Sequence, residues 1–131
     1  VPSTTGAGAA TALVLPDLKD KFDGLAIRVP VLSGSLIDIT FLAARQTSVE
    51  EINNIFRETA SQPQWQGIMT VTEDPVVSSD ILRNPHGSII DLALTRVVDG
   101  DLVKIFSWYD NEWGYCSMLI KHVLMVAQIL E

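Results

Sequence analysis

The chain has 131 residues, 47% of them hydrophobic, a formal net charge of −7 and a single cysteine. That length is enough for one domain with an apolar core, and an acidic balance without any block of like charges disfavours nucleic acid and other polyanions as partners. A lone Cys116 excludes an intrachain disulfide and fits a reducing cytoplasm, and its aromatic-to-apolar setting is that of a packing thiol, not of a nucleophile.

The opening run Ser3-Thr4-Thr5-Gly6-Ala7-Gly8 places hydroxyls before a small-residue helix pattern that reaches about Leu15 and stops at Pro16. The same arrangement can gather backbone N–H groups, hydroxyls and the positive end of a helix dipole around an anion. Residues 16–23 read as a polar connector, and residues 24–30 as a strand ending at Pro30. Arg28 lies inside that apolar run, so its fork of donors needs either a carboxylate or a bound anion.

A second strand spans residues 35–43, with Ile37, Ile39 and Phe41 on one face and Leu36, Asp38, Thr40 and Leu42 on the other; Ser33-Gly34 marks the turn before it. Ser48 with Glu51 forms a capping-box signal for a helix whose buried stripe is Ile52, Ile55, Phe56 and Thr59. Residues 67–72 read as a short strand closed by Glu73-Asp74-Pro75, which is a turn and not a metal site. Ser78-Ser79-Asp80 and Asn84-Pro85-His86-Gly87 are loop signals, and His86 has no partner spacing that would announce a metal or a triad.

Residues 88–98 alternate, with Ile90, Leu92 and Leu94 on one face, and Asp99-Gly100 supplies a tight turn into a return strand over residues 101–109. In the return strand Val103 and Ile105 oppose Leu102, Lys104, Phe106 and Trp108. The block from Ser107 to Tyr115 then holds two of the three tryptophans and both tyrosines, a set that can lock a corner of the core or line a pocket. From Trp113 to Leu130 the pattern is helical and apolar on nearly every side, which points to burial against a missing domain or another subunit. Its most apolar stretch, residues 118–130, is broken by Lys121, His122 and Gln128 and falls short of the roughly 20 residues of a membrane span. Val1-Pro2-Ser3-Thr4 has neither the charged start nor the apolar run of a secretion signal, and the absence of an initiator Met points to a segment of something longer.

Ser3-Thr4-Thr5-Gly6-Ala7, Arg28-Val29-Pro30, Thr72-Glu73-Asp74 with Val77-Ser78-Ser79, Asn84-Pro85-His86 and Trp108-Tyr109-Asp110-Asn111-Glu112-Trp113-Gly114-Tyr115 together resemble glyceraldehyde-3-phosphate dehydrogenase in order and spacing. The resemblance implies an α+β fold, a mixed or mostly antiparallel sheet with helices on one face. It makes the chain a single incomplete catalytic domain, residues 1–131, its C-terminal portion, without the dinucleotide-binding domain or the nucleophile-bearing segment. The implied activity is NAD-dependent oxidation of glyceraldehyde 3-phosphate to 1,3-bisphosphoglycerate with inorganic phosphate, in a cytoplasmic glycolytic enzyme that is typically a tetramer.

By the same resemblance Thr5 and Gly6 contact inorganic phosphate, Arg28 binds an anion of the active site, Asn111 holds the nicotinamide amide and Tyr115 is its neighbour. The catalytic cysteine and histidine precede the matched part: Cys116 stands where the family usually has serine, and His86 matches a loop histidine, so no catalytic residue and no metal ligand is assigned. The segment alone is therefore expected to be inactive. Ala9 and Leu13 replace lysines common in relatives, and Met118 an arginine, which removes positive charge. Two other readings are a stand-alone non-catalytic binding or assembly module and the related erythrose-4-phosphate dehydrogenase, against which Tyr109 argues. Choice between NAD and NADP belongs to the dinucleotide-binding domain.

Overall fold

The structure is a computed structural model that describes residues 1–130. The chain divides into two compact units, Val1–Val31 and the remainder from Leu32 onward.

In the first unit, β1 (Pro2–Ser3) and β2 (Ala26–Ile27) form a two-residue antiparallel ladder, Pro2 opposite Ile27. The strand expected over residues 24–30 is thus reduced to its centre. Pro2 and Pro30 have no N–H to give a ladder, and the partner chain turns away into α1 (Ala7–Val14) soon after Ser3. That helix ends where Pro16 forces the preceding Leu15 out of the helical region, to φ −122° and ψ 82°.

The second unit is built on β7 (Leu102–Tyr109). On one side it pairs over its full length with β3 (Ser35–Leu42), antiparallel, from Ser35 opposite Tyr109 to Leu42 opposite Leu102. On its other side it pairs with both β5 (Ser88–Asp91) and β6 (Arg96–Val98). The far edge is β4 (Met69–Thr72), parallel to β5, so the sheet is mixed and the expected α+β class holds. Val103 and Ile105 are buried on one face of β7, while on the other Lys104 reaches Asp38 at 2.7 Å across the ladder. Asp99 and Gly100 both take positive φ, 52° and 78°, as a tight hairpin turn between right-twisted strands requires.

The strand expected over residues 88–98 is broken. From Ile90 opposite Ser107 to Arg96 opposite Lys104 the chain advances six positions on one strand against three on the other. The excess is taken up by the tight helical turn Leu92–Leu94. Its polar consequences are buried: the Asn53 side-chain N–H donates to the Leu92 carbonyl at 3.1 Å, and Thr95 is only 1% exposed.

Asn53 sits on α2 (Val49–Ser61) and corrects the expected stripe. The inward positions are Ile52, Asn53, Phe56, Thr59 and Ala60, whereas Ile55 is 47% exposed. Ser48 caps this helix by accepting from the Glu51 N–H at 3.1 Å. The reciprocal half of the capping box is not made, because the Glu51 carboxylate is taken by Arg45 and the Thr47 hydroxyl, which together hold it below its ordinary pKa.

The last helix, α3 (Trp113–Leu130), touches the unit along one narrow row. A Cβ on Gly114 would lie 2.9 Å from the His86 carbonyl oxygen, the Met118 side chain lies against Gly87, and the Lys121 ammonium lies against Gly67. Around that row Leu119, Ile120, Val123, Leu124, Met125, Val126, Ile129 and Leu130 are all exposed. By length and composition alone α3 could cross a membrane, which counting residues 118–130 by themselves had set aside. Lys121 and His122 stand at its middle, and a lysine at the centre of a spanning helix costs about 2.5–3.5 kcal/mol.

Candidate functional site

The residues singled out by the resemblance fall in both units. In the first, the Thr5 hydroxyl oxygen accepts the Ala7 N–H at 3.2 Å, and Gly6 occupies the N-cap position of α1 without a side-chain bond. The expected hydroxyl cap is thus displaced by one residue. Thr5 keeps its hydroxyl proton to donate, next to a helix start that has no acidic side chain in its first turn. Arg28 is exposed, and its backbone N–H donates to the Val1 carbonyl at 2.9 Å. No carboxylate forms an ion pair with it among the described residues, so of the two partners anticipated for its guanidinium the internal acid is not found. The β1–β2 ladder puts Arg28 beside Val1, four residues before Thr5, at most roughly 14 Å of extended chain away. Ala9 and Leu13 are exposed on α1.

In the second unit the aromatic block is split between the core and the surface. Trp108 locks the core, its indole N–H donating to the Asp91 carboxylate at 3.0 Å. Trp113 and Tyr115, in the first turn of α3, are 54% and 64% exposed.

Between them Asp110 acts as the N-cap of α3. Its carbonyl accepts from the Gly114 N–H at 3.0 Å, and one carboxylate oxygen accepts from the N–H groups of Glu112 and Trp113, each at 2.9 Å. The other oxygen accepts from the Arg83 N–H at 2.8 Å, holding a residue with φ +63°. Burial pushes the Asp110 carboxyl up, but the donors of Arg83, Trp113 and Glu112 and the Ser33 hydroxyl together outweigh it and hold the group below its ordinary value. Sequence reasoning missed Asp110, although an aspartate at the start of a helical pattern is an N-cap signal, its side chain accepting from the N–H groups two and three residues on.

Asn111 follows Asp110 and is exposed. Its side-chain carbonyl oxygen accepts from the Gly34 N–H at 3.0 Å and from the Ser33 hydroxyl at 3.3 Å. Ser33 and Asn111 stand opposite each other where the β3–β7 register would continue past Ser35 and Tyr109. The amide nitrogen has no hydrogen-bond partner among the described residues and is left as a donor. It suits the carbonyl of a nicotinamide carboxamide, so the fit to that cofactor is good for one hydrogen bond, not for a reciprocal amide pair. Ser33 and Gly34 were legible only as a turn.

His86 keeps its loop role. Asn84 accepts from both its backbone N–H and its ring, and burial, then the Lys121 charge, holds its pKa below the usual value. Cys116 is an exposed free thiol. The described residues contain no cluster of His, Cys, Asp and Glu fit to hold a metal. Neither of two shallow concavities, one along Ser48, Glu51, Ile55 and Glu58 and one between α1 and Lys19–Asp23, includes Thr5, Gly6, Arg28, Asn111 or Tyr115.

Comparison with known proteins bears on all of these residues. The family model described as glyceraldehyde 3-phosphate dehydrogenase, C-terminal domain, matches residues 1–111, ending on Asn111. Among curated relatives, glyceraldehyde-3-phosphate dehydrogenase 2 of Streptomyces avermitilis is 46% identical over 130 residues, 99% of this chain and 38% of the relative. The glyceraldehyde-3-phosphate dehydrogenase of Mycobacterium tuberculosis is 47% identical over 99% of this chain and 38% of its own length, and that of Zymomonas mobilis is 41% identical over 99% and 39%. The chain thus spans less than two fifths of the length of the curated relatives it matches. With a family model covering residues 1–111 and a mixed α+β sheet of the expected class, the chain belongs to the glyceraldehyde-3-phosphate dehydrogenase family, as its C-terminal domain.

Proposed function

We propose that this chain is the C-terminal portion of the catalytic domain of a cytoplasmic NAD-dependent dehydrogenase that oxidises glyceraldehyde 3-phosphate, with inorganic phosphate, to 1,3-bisphosphoglycerate. Similarity to dehydrogenases over 99% of its length carries the reading, and the groups left free by the fold support it. When bound, NAD accepts the hydride of the oxidation. The residues of this chain bind and orient: the Thr5 hydroxyl and Gly6 at the start of α1, and Arg28, which has no ion-pair partner among the described residues, offer donors to phosphate anions. Asn111 donates to the nicotinamide carboxamide, with Tyr115 beside it on α3. The nucleophile and base are supplied outside this segment, since Cys116 makes no hydrogen bond to an imidazole among the described residues and His86 is tied into its loop. The exposed apolar sides of α3 fit cover by the remainder of such an enzyme or by a second subunit of a tetramer.

The 131-residue chain alone is expected to give no dehydrogenase turnover. Grafted in place of the matching segment of the Mycobacterium tuberculosis relative, it is expected to restore NAD- and phosphate-dependent oxidation of glyceraldehyde 3-phosphate, faster than of erythrose 4-phosphate. Turnover by the isolated chain, or a well-folded graft without activity, would overturn the reading. In the active graft, Arg28→Ala should raise the KM for phosphate or for the aldehyde about tenfold, the loss of one hydrogen bond to a charged group. Unchanged steady-state kinetics would remove Arg28 from the site.

A further inference from the structure

We propose that His86 and Lys121 form a pH-sensitive latch on α3: while the imidazole is neutral the helix stays seated on the loop beneath it, and a proton taken up at His86 Nε2 sets a second positive charge beside the Lys121 ammonium and loosens the helix. The latch is independent of the dehydrogenase reading.

The seat is small. Gly114, Met118 and Lys121 stand four and three residues apart, so they form one row on α3. That row rests on two segments that are themselves tied together, since the N–H groups of Gly87 and Ser88 both donate to the Ile68 carbonyl, at 2.9 and 3.2 Å. Gly87 lies under Met118, where a Cβ would come within 3.0 Å of the Met118 Cγ. Gly67, at φ +67°, lies under Lys121, where a Cβ would come within 2.9 Å of Nζ. The large apolar side chains around the row are exposed, so little else in this unit holds the middle of the helix among the described residues.

The hydrogen bonds of His86 decide where its proton goes. Its backbone N–H can only donate, so the Asn84 atom it meets at 3.0 Å is the side-chain carbonyl oxygen. The same oxygen lies 2.8 Å from Nδ1 and can only accept, so Nδ1 carries the hydrogen of the neutral ring and Nε2 is left as the basic atom. Burial first, and then the Lys121 charge, hold the imidazole below its ordinary pKa. No carboxylate pairs with Lys121 among the described residues to offset that charge. Neither Arg83 of the loop, nor Asp110 and Glu112 at the helix cap, nor Tyr115, Cys116 and His122 of α3 shifts the imidazole, and residues 66–68 include no ionisable side chain. The part of the depression due to Lys121 exists only while α3 is seated. The seat is therefore at full strength above the ordinary imidazole value of about 6.5 and weakens as pH falls through the lower seated value.

The test is amide hydrogen exchange of the 131-residue chain, each rate referred to the unstructured rate at the same pH. Between about pH 8 and about pH 5, protection of residues 118–124 should fall about threefold, the size expected of one exposed charge pair, while β7 stays protected. Lys121→Gln should shrink the fall and Lys121→Arg should keep it, and about 1 M salt should narrow the difference between wild type and Lys121→Gln. An NMR titration should show neutral His86 with its hydrogen on Nδ1, and a higher midpoint in Lys121→Gln. Protection of α3 that does not change with pH, an equal fall in Lys121→Gln, or a fall shared by β7 would overturn the latch. A neutral ring with its hydrogen on Nε2, or a His86 midpoint unmoved in Lys121→Gln, would overturn the part given to the imidazole.

Discussion

Replacement of Asp110 by alanine is expected to destabilise the second unit by about 3 kcal/mol, a factor of more than about a hundred in the folding equilibrium. Two losses add. Removing the cap of α3 frees the Glu112 and Trp113 N–H groups, and helix caps are worth about 0.5–2 kcal/mol. Removing the acceptor of the Arg83 N–H leaves a part-buried donor unsatisfied, which costs about 1–3 kcal/mol, at a residue already held in the left-handed region. Asp110→Asn separates the two terms. Its remaining oxygen can still cap the helix, but its NH2 group would face the Arg83 N–H, so the variant should fall between wild type and Asp110→Ala.

The same carboxylate sets a pH dependence. Its folded pKa is depressed, so the stability it contributes is fully present above the unfolded value near about 3.9 and is lost as pH falls through the lower folded value. Urea midpoints should therefore separate wild type from Asp110→Ala widely at neutral pH and converge below about pH 4. Parallel acid limbs in the two proteins would show that Asp110 is not the group responsible.

Gly114→Val should cost about 2 kcal/mol and act on α3 alone. The chain at Gly114 passes so close to the loop at residues 84–86 that a Cβ would meet the His86 carbonyl oxygen at 2.9 Å and the Asn84 carbonyl oxygen at 3.6 Å. Both are backbone atoms, which cannot swing aside as a long side chain can. Overpacking of this kind costs about 1–3 kcal/mol, and an alanine would recover up to about 1 kcal/mol of it through helix propensity. Valine recovers less, because its branched Cβ is restricted in a helix. Since the contact row of α3 runs from Gly114 through Met118 to Lys121, loosening its first point should release the helix and raise the His86 pKa toward its ordinary value, as Lys121 withdraws. An NMR titration of His86 alongside urea unfolding checks both halves of the expectation; a stable variant with an unmoved His86 would contradict it.

Elements whose rule is local were legible in the sequence. The alternation of β7, the Asp99-Gly100 turn and the stop of α1 before Pro16 each follow from neighbouring residues, and each stands in the structure. Where a distant partner decides, local reading failed. Asn53 faces inward, although it breaks the apolar stripe of α2, because the turn at Leu92–Leu94 leaves a carbonyl that needs a donor. That turn exists only because β5 and β6 must share β7 in two registers, which no window of residues 88–98 contains. The site divides the same way. Arg28 and Asn111 carried signals in residue type and resemblance, whereas the pinning of Asn111 depends on Ser33 and Gly34, and Ser33 lies 78 positions away in sequence.

That separation has a consequence for how the site comes into being. Ser33 meets Asn111 only if eight residue pairs between β3 and β7 have closed in one register, since a slip by a single residue would turn each side chain of β3 to the opposite face and carry Gly34 past its acceptor. Closing so long a loop is among the more entropically demanding contacts the chain makes, and it is repaid only when the whole ladder forms. The orientation of the Asn111 side chain is thus tied to completion of the sheet: a partly zipped or misregistered chain holds the same asparagine but does not aim it.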